Sequence, residues 1–513
     1  MTAPAEQGMP STSEIVANKS FFGHPRGLGT LFAVEMWERF SYYGLRPLLI
    51  LFMTAAVTSS GFGFDRATAG AIVGIYAASV YLASLPGGWI ADRWLGLQRS
   101  IWYGGIIIAL GHLCIGLSAV FAQKAFFLGL VLIVIGTGLL KPNISAIVGD
   151  LYPDGGARRD AGFSIYYMGI NTGAFVGQLV TGYLGEKVGW HFGFGAAGVG
   201  MVLGLITFKM LAKNTLGPIG LGVVVSPEEQ QRTRNIALAA LGFITLVIVL
   251  FMTGVLTFNA VAVAGYSTVG IISLAVAYFA YLFILGGLNS EEKKRILVIF
   301  VLFLGAAAFW SAFEQAPTSL NLFARDFTDR NVFGFEIPTT WFQSINSFFV
   351  IAFAPVFAVV WTVLGKKGIT PSSPAKFAAG LFMCGVGFYI MLVPSNAVIA
   401  AGGTLKVSAW WLTMSYMLQT MGELSLSPVG LSSMTKLAPR RYVGQMMGVW
   451  FMASALGNLI AGLVGGHIDP EKLELMPQLF NRTAMSMFLF TAIFIALIIP
   501  IRNMMKGTTV KDH

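Results

Sequence analysis

Charged side chains are scarce in this sequence. Asp, Glu, Lys and Arg make up 11% of the 513 residues, whereas soluble domains contain about 25%. Hydrophobic residues make up 56% of the chain, and its mean hydropathy is +0.73. This composition excludes a soluble globular domain and indicates a polytopic membrane protein.

Cysteine and histidine are also scarce. The two cysteines, Cys114 and Cys384, fall in the middle of different hydrophobic segments, so we expect them to be packing residues without a disulfide. The five histidines are not spaced like metal ligands, and we expect no metal site. Residues 1–28 lack the apolar core of a signal peptide, so we expect no cleaved leader.

Hydrophobic segments of about 20 residues, the length that spans a bilayer, recur along almost the whole chain. They predict an all-α polytopic membrane protein with fourteen transmembrane helices. The predicted helices cover residues 29–57, 68–91, 100–121, 125–148, 160–185, 190–212, 233–254, 262–287, 293–323, 338–363, 376–397, 404–434, 442–465 and 478–502.

The basic residues predict the orientation of these helices. Most of the 33 lysines and arginines fall in the loops on one side, including Arg93, Arg99 and the pair Arg158 and Arg159. The positive-inside rule therefore predicts that both termini are cytoplasmic. The net charge of +10 is spread over short loops and forms no single basic face, so we expect no nucleic-acid partner.

An internal repeat predicts how the helices are organised. Two segments share the pattern G-x5-P-x8-L-x-P, and its members are Gly136, Pro142, Leu151 and Pro153 in one copy and Gly422, Pro428, Leu437 and Pro439 in the other. The repeat predicts two six-helix halves related by duplication, with two extra helices between them.

This organisation gives five predicted regions. A cytoplasmic N-terminal segment covers 1–28, and an N-terminal six-helix bundle covers 29–212. A linker with two extra transmembrane helices covers 213–291. A C-terminal six-helix bundle covers 292–502, and a cytoplasmic tail covers 503–513.

The loop after the second helix reads GGWIADRWLGLQRS and resembles the loop motif of the major facilitator superfamily. Its motif residues are Gly88, Asp92, Arg93, Gly96 and Arg99. Glycine lets helix ends approach closely, and Asp–Arg pairs can hold neighbouring helix termini. We predict that this loop acts in gating on the cytoplasmic side.

Seven ionisable residues inside the predicted helices are candidates for a site: Glu35, Glu38, Arg39, Arg46, Lys141, Glu314 and Glu423. A charged side chain at a helix centre costs about 2.5–3.5 kcal/mol, so these residues must contact one another or water. The first four and Tyr42 fall within an arc of about 100° on one helix. Four acids and three bases leave one carboxyl without a basic partner, as a group that exchanges a proton requires.

A static salt-bridge cluster is the alternative interpretation of these charges. Buried ion pairs hold helices together poorly compared with apolar packing. The charges also come from four separate hydrophobic segments and have tyrosines beside them. We therefore favour a functional site.

The motif E-x-x-E-R-F-x-Y-Y at 35–43 resembles the first-helix signature of the proton-dependent oligopeptide transporter family within the major facilitator superfamily. The segments FSIYYMGINTGAFVG at 163–177, FWSAFEQAPTSLNLFA at 309–324 and WFQSIN at 341–346 are similar to the same family. The resemblance implies a bacterial inner-membrane symporter that imports di- and tripeptides with protons by alternating access around a midplane site. It implies a protein that functions as a monomer, needs no cofactor and is not an enzyme.

The resemblance also implies roles for individual residues. Arg46 and Lys141 match residues that meet the peptide carboxylate, and Glu423 matches the acid that holds its amino terminus. The other positions that match substrate-binding residues are Tyr43, Tyr81, Tyr167, Asn171, Trp310, Asn346, Ser427 and Trp450.

For proton coupling, the matching residues are Glu35, Glu38, Arg39, Lys141 and Glu314. Glu314 matches an acid that pairs with Arg46 in the family. Animal relatives carry a histidine on the second helix, but residues 68–91 contain none, so proton uptake must rest on carboxylates.

Elementary chemistry agrees with this assignment. Small peptides share only their charged ends and their backbone, so a general peptide site needs cations for one end and an acid for the other. A transporter of nitrate or another small solute remains the main alternative, although the acid Glu423 suits an amino group and repels an anion. A drug exporter fits less well, because the charges suit a zwitterion better than a lipophilic cation. A channel and an intramembrane enzyme also fit less well, because the sequence contains neither filter loops nor a nucleophile spaced with a base.

Overall fold

The computed structural model describes residues 9–368 and 371–505. Parts of the predicted N-terminal segment and of the predicted tail, residues 1–8 and 506–513, lie outside the described residues. The N-terminal half contains α1 (Thr12–Ala17), α2 (Arg26–Thr54), α3 (Arg66–Ile90), α4 (Leu97–Gly116), α5 (Ser118–Asp150), α6 (Gly156–Tyr183) and α7 (Trp190–Thr215). The π-helical turns Ala91–Leu95 and Leu184–Val188 extend α3 and α6.

The rest of the chain continues with α8 (Pro227–Met252), α9 (Ala260–Ile284), α10 (Ser290–Phe313), α11 (Asn321–Phe327), α12 (Trp341–Lys366), α13 (Ser373–Tyr389), α14 (Leu392–Ala400), α15 (Trp410–Leu437), α16 (Val443–Val464) and α17 (Leu475–Met505). Four two-residue strands also form: β1 (Thr328–Asp329), β2 (Asn331–Val332), β3 (Phe335–Glu336) and β4 (Val407–Ser408). Strand β1 pairs with β4 in parallel, and β2 pairs with β3 in antiparallel.

The predicted number of membrane-spanning helices agrees with the structure. Within the described residues, eleven helices are long and apolar enough to cross a membrane. Helices α2, α6 and α15 are of similar length, 28 or 29 residues. These three helices and the other eleven make fourteen long helices, the number that the hydrophobic segments predicted.

Several predicted bounds were wrong. The span 404–434 began too early, because Val407–Ser408 form β4 and the helix starts at Trp410. The span 293–323 ran past the end of α10 at Phe313, after which a π-helical turn, Ala316–Leu320, leads into α11. Hydropathy averaged over a whole segment does not detect these changes, because they are local changes in the hydrogen-bonding pattern of the backbone.

Side-chain caps fix where two helices begin on the side predicted to be cytoplasmic. At α8, Ser226 accepts a hydrogen bond from the backbone N–H of Glu229, and Pro227 occupies the first turn. At α10, Asn289 and Glu292 form a reciprocal capping box. These polar caps satisfy backbone N–H groups that have no partner inside the helix.

The chain divides into two compact units. Unit 1 comprises the residues up to Leu48 together with Ala56–Phe62 and Ser79–Phe258. Unit 2 comprises Leu49–Ala55, Gly63–Ala78 and the residues from Asn259 onward. The last residues of α2 and the first half of α3 thus belong to unit 2, and the linker helices α8 and α9 belong to different units. The predicted domain boundaries at 212 and 292 stay a prediction.

The repeat glycines mark an equivalent helix crossing in each unit. In unit 1, a Cβ atom on Gly136 of α5 would lie 2.6 Å from the carbonyl oxygen of Gly104 on α4. In unit 2, a Cβ atom on Gly422 of α15 would lie 2.7 Å from the carbonyl oxygen of Gly380 on α13. Only glycine allows backbones to approach this closely. Both copies of the repeat therefore position a long helix that carries a predicted site residue.

Candidate functional site

Each unit contains its own set of buried polar side chains. In unit 1, the set starts on α2, where Glu35, Glu38 and Arg39 are 2%, 1% and 3% exposed. The Nε atom of Arg39 lies 2.9 Å from a carboxylate oxygen of Glu35 and 2.5 Å from one of Glu38. When both acids are ionised, two carboxylates share one guanidinium, and the trio carries an excess negative charge.

Lys141 brings a second cation to this trio. Glu38 interacts electrostatically with Lys141 as well as with Arg39 and Glu35. The Nζ atom of Lys141 lies over the ring of Tyr81, 4.4 Å from its centroid. This position on α5 combines a cation–π contact with the attraction of a carboxylate.

Tyrosine side chains surround Arg39. Its guanidinium carbon lies 5.4 Å from the ring centroid of Tyr42 and 6.0 Å from that of Tyr43. Arg46, two turns further along α2, is also buried. The structure therefore places the polar stripe of α2 inside unit 1, as a helix with one charged face requires.

Sequence reasoning missed Tyr166. This tyrosine is buried and interacts with Glu35 through a side-chain hydrogen bond. Its neighbour Tyr167, which was predicted as a pocket residue, is 41% exposed, and its carbonyl oxygen accepts a hydrogen bond of 2.9 Å from Asn171 Nδ2. The two tyrosines are adjacent in the segment FSIYYMGIN, and only the rotation of α6 decides which of them reaches α2.

In unit 2, the polar set centres on Glu423 of α15. Asn346 Nδ2 donates hydrogen bonds of 3.2 Å to Glu423 Oε2 and 2.9 Å to Thr420 Oγ1. Glu314, which caps the C-terminus of α10 and is buried, interacts electrostatically with Glu423. Two acids that act on one another favour a cation close to them.

Two predicted tryptophans are buried in the same unit. Trp310 is 8% exposed and Trp450 is 6% exposed. Within the described ranges, the Nε1–H group of Trp310 has no hydrogen-bond acceptor. Buried indole N–H groups usually have a partner, so this donor is available for a ligand. Ser427 lies one turn after Glu423 on α15 and is partly exposed.

The predicted gating loop forms a π-helical turn that contains Asp92 and Arg93. The loop then turns at Gly96, whose φ of +80° favours glycine. Arg93 Nε donates a 2.8 Å hydrogen bond to Glu229 Oε1 in the first turn of α8, a partner that the sequence did not predict. Gly88 lies near the end of α3, and Arg99 is an exposed residue in the first turn of α4. The motif therefore contacts the start of the linker helix α8.

A further ion pair in unit 2 was missed. Arg66, the first residue of α3, lies 2.5 Å from Asp326 of α11 and donates a 2.7 Å hydrogen bond to the carbonyl oxygen of Ile468. Arg325 Nη1 donates a 2.8 Å hydrogen bond to Thr54 Oγ1 at the end of α2. These contacts hold the end of α2 and the start of α3 in unit 2.

The remaining site predictions concern cysteines and metal ions. Cys114 and Cys384 are both free thiols. Among the residues that the structure describes, no three His, Cys, Asp or Glu side chains form a group that could hold a metal ion. The expectation of no metal site stays a prediction.

Comparison with known proteins adds a family to this geometry. The model of the POT family matches residues 98–478. A peptide transporter of Yersinia enterocolitica, YePEPT, is 49% identical over 506 residues, which cover 98% of this chain and 99% of the relative. A di-/tripeptide transporter of Lactococcus lactis subsp. cremoris is 37% identical over 456 residues, which cover 86% and 89%.

Solved structures agree with these relatives. The crystal structure of a mutant peptide transporter POT in complex with alafosfalin superposes with a TM-score of 0.87 at 40% identity, covering 97% of this chain and 100% of that one. The fold is therefore that of the major facilitator superfamily, in a multi-pass membrane protein whose relatives are transporters and not enzymes. The matched residues, the identity and the superposition show that the chain belongs to the POT family.

Proposed function

We propose that this protein imports di- and tripeptides together with protons across the bacterial inner membrane, as a monomer with both termini in the cytoplasm. The observation that carries the proposal is the division of charge between the units. Unit 1 holds buried arginines beside an acid pair, and unit 2 holds a buried acid, Glu314, and a half-buried acid, Glu423, beside an amide. A peptide is a zwitterion whose side chains vary, and it has one charged end for the cations of unit 1 and the other for the acids of unit 2.

Recognition follows from the chemistry of each set. Lys141 and Arg46 of unit 1 bind the peptide carboxylate, because lysine and arginine make charge-assisted hydrogen bonds to carboxylates. Glu423 of unit 2 binds the peptide ammonium, with Asn346 holding its carboxylate in position. The Trp310 N–H group donates to a peptide carbonyl oxygen, which supplies the acceptor that it lacks within the described part of the chain.

Proton coupling rests on Glu35, Glu38 and Arg39. When Glu38 is ionised, it attracts both Arg39 and Lys141. Protonation of Glu38 removes that attraction, so that Lys141 binds the carboxylate of the incoming peptide. Loss of the proton to the cytoplasm restores the attraction, which weakens the hold on the peptide and favours its release.

Uptake of labelled dialanine into proteoliposomes tests the proposal. An imposed inward proton gradient should drive accumulation that an uncoupler abolishes and unlabelled trialanine competes away. One proton per cycle and a potential of 100 mV support roughly 50-fold accumulation of a net-neutral peptide. Folded protein that shows no gradient-driven uptake of dialanine would contradict the proposal.

Nitrate is the second substrate to test in the same vesicles. Glu423 and Glu314 interact within unit 2, and their like charges oppose an anion. We therefore expect no proton-driven uptake of nitrate. Uptake of nitrate without uptake of dialanine would replace the peptide by a small anion and leave the assignment as a transporter intact.

A further inference from the structure

A polar cavity lies in unit 2, and none of the residues that line it was assigned to peptide or proton binding. Its volume is about 220 Å³, and it lies where the C-terminal ends of α10 and α16 meet the first turns of α17. Its polar lining includes Ser311, Gln315, His467, Gln478, Arg482 and Thr483. No acidic side chain lines it, so the cavity offers one cation and several neutral polar groups.

Gln315 supplies an acceptor that lacks a donor. The side chain is 2% exposed, and its Nε2 atom donates hydrogen bonds to the carbonyl oxygen of Ser311 at 3.1 Å and to Thr483 Oγ1 at 3.2 Å. Its Oε1 atom has no donor among the described residues. A buried polar atom without a partner is rare in folded proteins, which indicates that a bound molecule supplies an N–H or O–H group.

His467 supplies a second acceptor. Its Nδ1 atom lies 2.9 Å from the carbonyl oxygen of Val464. A carbonyl oxygen only accepts, so Nδ1 carries the proton of the neutral ring and Nε2 is left as an acceptor. The molecule in the cavity therefore needs more than one donor hydrogen.

Arg482 supplies the positive charge. Gln478, Arg482 and Ser486 follow one another at intervals of four residues and form one polar face of α17. No carboxylate pairs with the Arg482 guanidinium in the ranges that the structure covers. Guanidinium groups bind phosphate through two parallel hydrogen bonds.

The surroundings of the cavity indicate where the molecule comes from. Met485 and Leu489 lie on the same side of α17 one to two turns after Arg482 and are 43% and 60% exposed, as expected for side chains in contact with lipid. The cavity lies near the first turns of α17, and the predicted topology puts this end at the outer surface of the membrane. Phospholipid headgroups occupy this depth.

We propose that this cavity binds the headgroup of a phospholipid from the outer leaflet. Arg482 binds the phosphate, and Gln315 Oε1 and His467 Nε2 accept hydrogen bonds from N–H or O–H groups of the headgroup. Phosphatidylethanolamine and phosphatidylglycerol carry such donors, whereas phosphatidylcholine does not. The cavity therefore selects the first two lipids over the third.

Native mass spectrometry of the full-length protein in detergent tests the proposal. Phosphatidylethanolamine and phosphatidylcholine with identical acyl chains are titrated separately, and the bound lipid that survives collisional activation is counted. Wild-type protein should bind one phosphatidylethanolamine about tenfold or more tightly than phosphatidylcholine, the factor expected for hydrogen bonds to charged groups. Equal binding of the two lipids would overturn the proposal.

Variants locate the bound lipid. Arg482→Gln should lose that lipid, and Arg482→Lys should retain part of the binding, because lysine keeps the charge without the planar fork. Arg502→Gln changes an arginine at the other end of the same helix and should leave the binding unchanged. Gln315→Met keeps the length of the side chain and removes the acceptor, so the preference for ethanolamine over choline should fall. Retention of wild-type binding by Arg482→Gln would contradict the proposal.

Soluble competitors distinguish a lipid from a free anion. Inorganic phosphate and phosphoethanolamine, each at millimolar concentration, should fail to displace the lipid from wild-type protein, because they lack the acyl chains that contact the flanking apolar residues. Displacement by either competitor at concentrations where it binds by itself would show that the cavity takes a soluble phosphate compound, and it would overturn the assignment to a lipid.

Discussion

Helices α5 of unit 1 and α15 of unit 2 have the same place in the repeat and carry opposite charges. Alignment of Gly136 with Gly422 and of Pro142 with Pro428 pairs Lys141 with Ser427. The same alignment pairs Thr137 with Glu423. Helix α5 therefore has a base where α15 has a hydroxyl group. One turn earlier, α15 has an acid where α5 has a hydroxyl group.

This exchange shows how a duplicated structure can serve an asymmetric substrate. Both helices pass a neighbour at a glycine crossing of nearly equal closeness, 2.6 Å in unit 1 and 2.7 Å in unit 2 for an added Cβ atom. The helix crossing is thus alike in the two units, whereas the residues at two aligned positions decide the sign of the charge that each helix carries. Under the proposed function, each helix binds the peptide end of opposite charge.

The first helix of each half makes the contrast sharper. Helix α2 carries two acids and an arginine in direct contact. Helix α10, its counterpart in unit 2, carries Glu314 at its C-terminal end. Unit 1 therefore contains the denser charge network, and we assign proton coupling to it.

The largest expected effect is on coupling. Glu38→Gln removes the charge that attracts both Arg39 and Lys141, so gradient-driven accumulation of dialanine should be lost. Exchange of labelled for unlabelled dialanine needs no net proton movement and should partly persist. Both are measured in proteoliposomes, with Glu474→Gln, a change of an exposed loop acid, as the control. Equal loss of both activities would remove coupling from unit 1.

The glycine crossings should give the next largest effect. Gly136→Ala and Gly422→Ala each push a Cβ atom into a backbone carbonyl group, and overpacking of this kind costs about 1–3 kcal/mol. Both variants should lower the melting temperature in detergent by similar amounts. Gly195→Ala and Gly365→Ala are matched controls, because an added Cβ atom at either position meets nothing within 4 Å. A loss of stability in only one unit would break the proposed equivalence of the two crossings.

Removal of the indole N–H group of Trp310 should have a smaller effect, on the affinity for dialanine. Trp310→Phe keeps an aromatic ring and removes the donor, so affinity for dialanine should fall by about 2- to 13-fold, the equivalent of one neutral hydrogen bond. Competition binding measures the change, and Trp361→Phe on α12 is the control. An unchanged affinity would mean that the indole serves packing alone.

The smallest effect is expected at the gating loop. Arg93 and Glu229 are 39% and 47% exposed, and exposed ion pairs contribute about 0–1 kcal/mol. Arg93→Gln should therefore shift the melting temperature little, in contrast to a change in the buried trio on α2. A large loss of stability would show that the loop holds α8 in place more firmly than this pair suggests.

Much of this architecture could be predicted from the sequence. Fourteen hydrophobic segments predicted fourteen helices, because a bilayer requires long apolar stretches whatever their packing. The polar stripe on α2 could be predicted because its residues lie on one helix, where the spacing of residues in the sequence determines the direction in which their side chains point. The repeat identified Gly136 and Gly422 as equivalent positions, and the structure then places a helix crossing at each of them.

Contacts between separate helices could not be predicted in the same way. The contact of Tyr166 with Glu35 depends on the rotation of α6, and the sequence offers Tyr167 as an equal choice. The partners of Arg93 and Arg66 are far away in the chain, at Glu229 and Asp326. Hydropathy also says nothing of the two-residue strands, since their pairing depends on loops that meet only after folding.

The most direct test crosses two variants with two blocked peptides. Lys141→Gln should lose affinity for dialanine and for N-acetyl-dialanine but change little for dialanine amide, which lacks the carboxylate. Glu423→Gln should show the reverse pattern, with a change of about tenfold or more for peptides that keep the ammonium group. Lys124→Gln, at an exposed position on α5, is the control. Parallel losses for all three peptides in both variants would contradict the assignment of opposite peptide ends to the two helices.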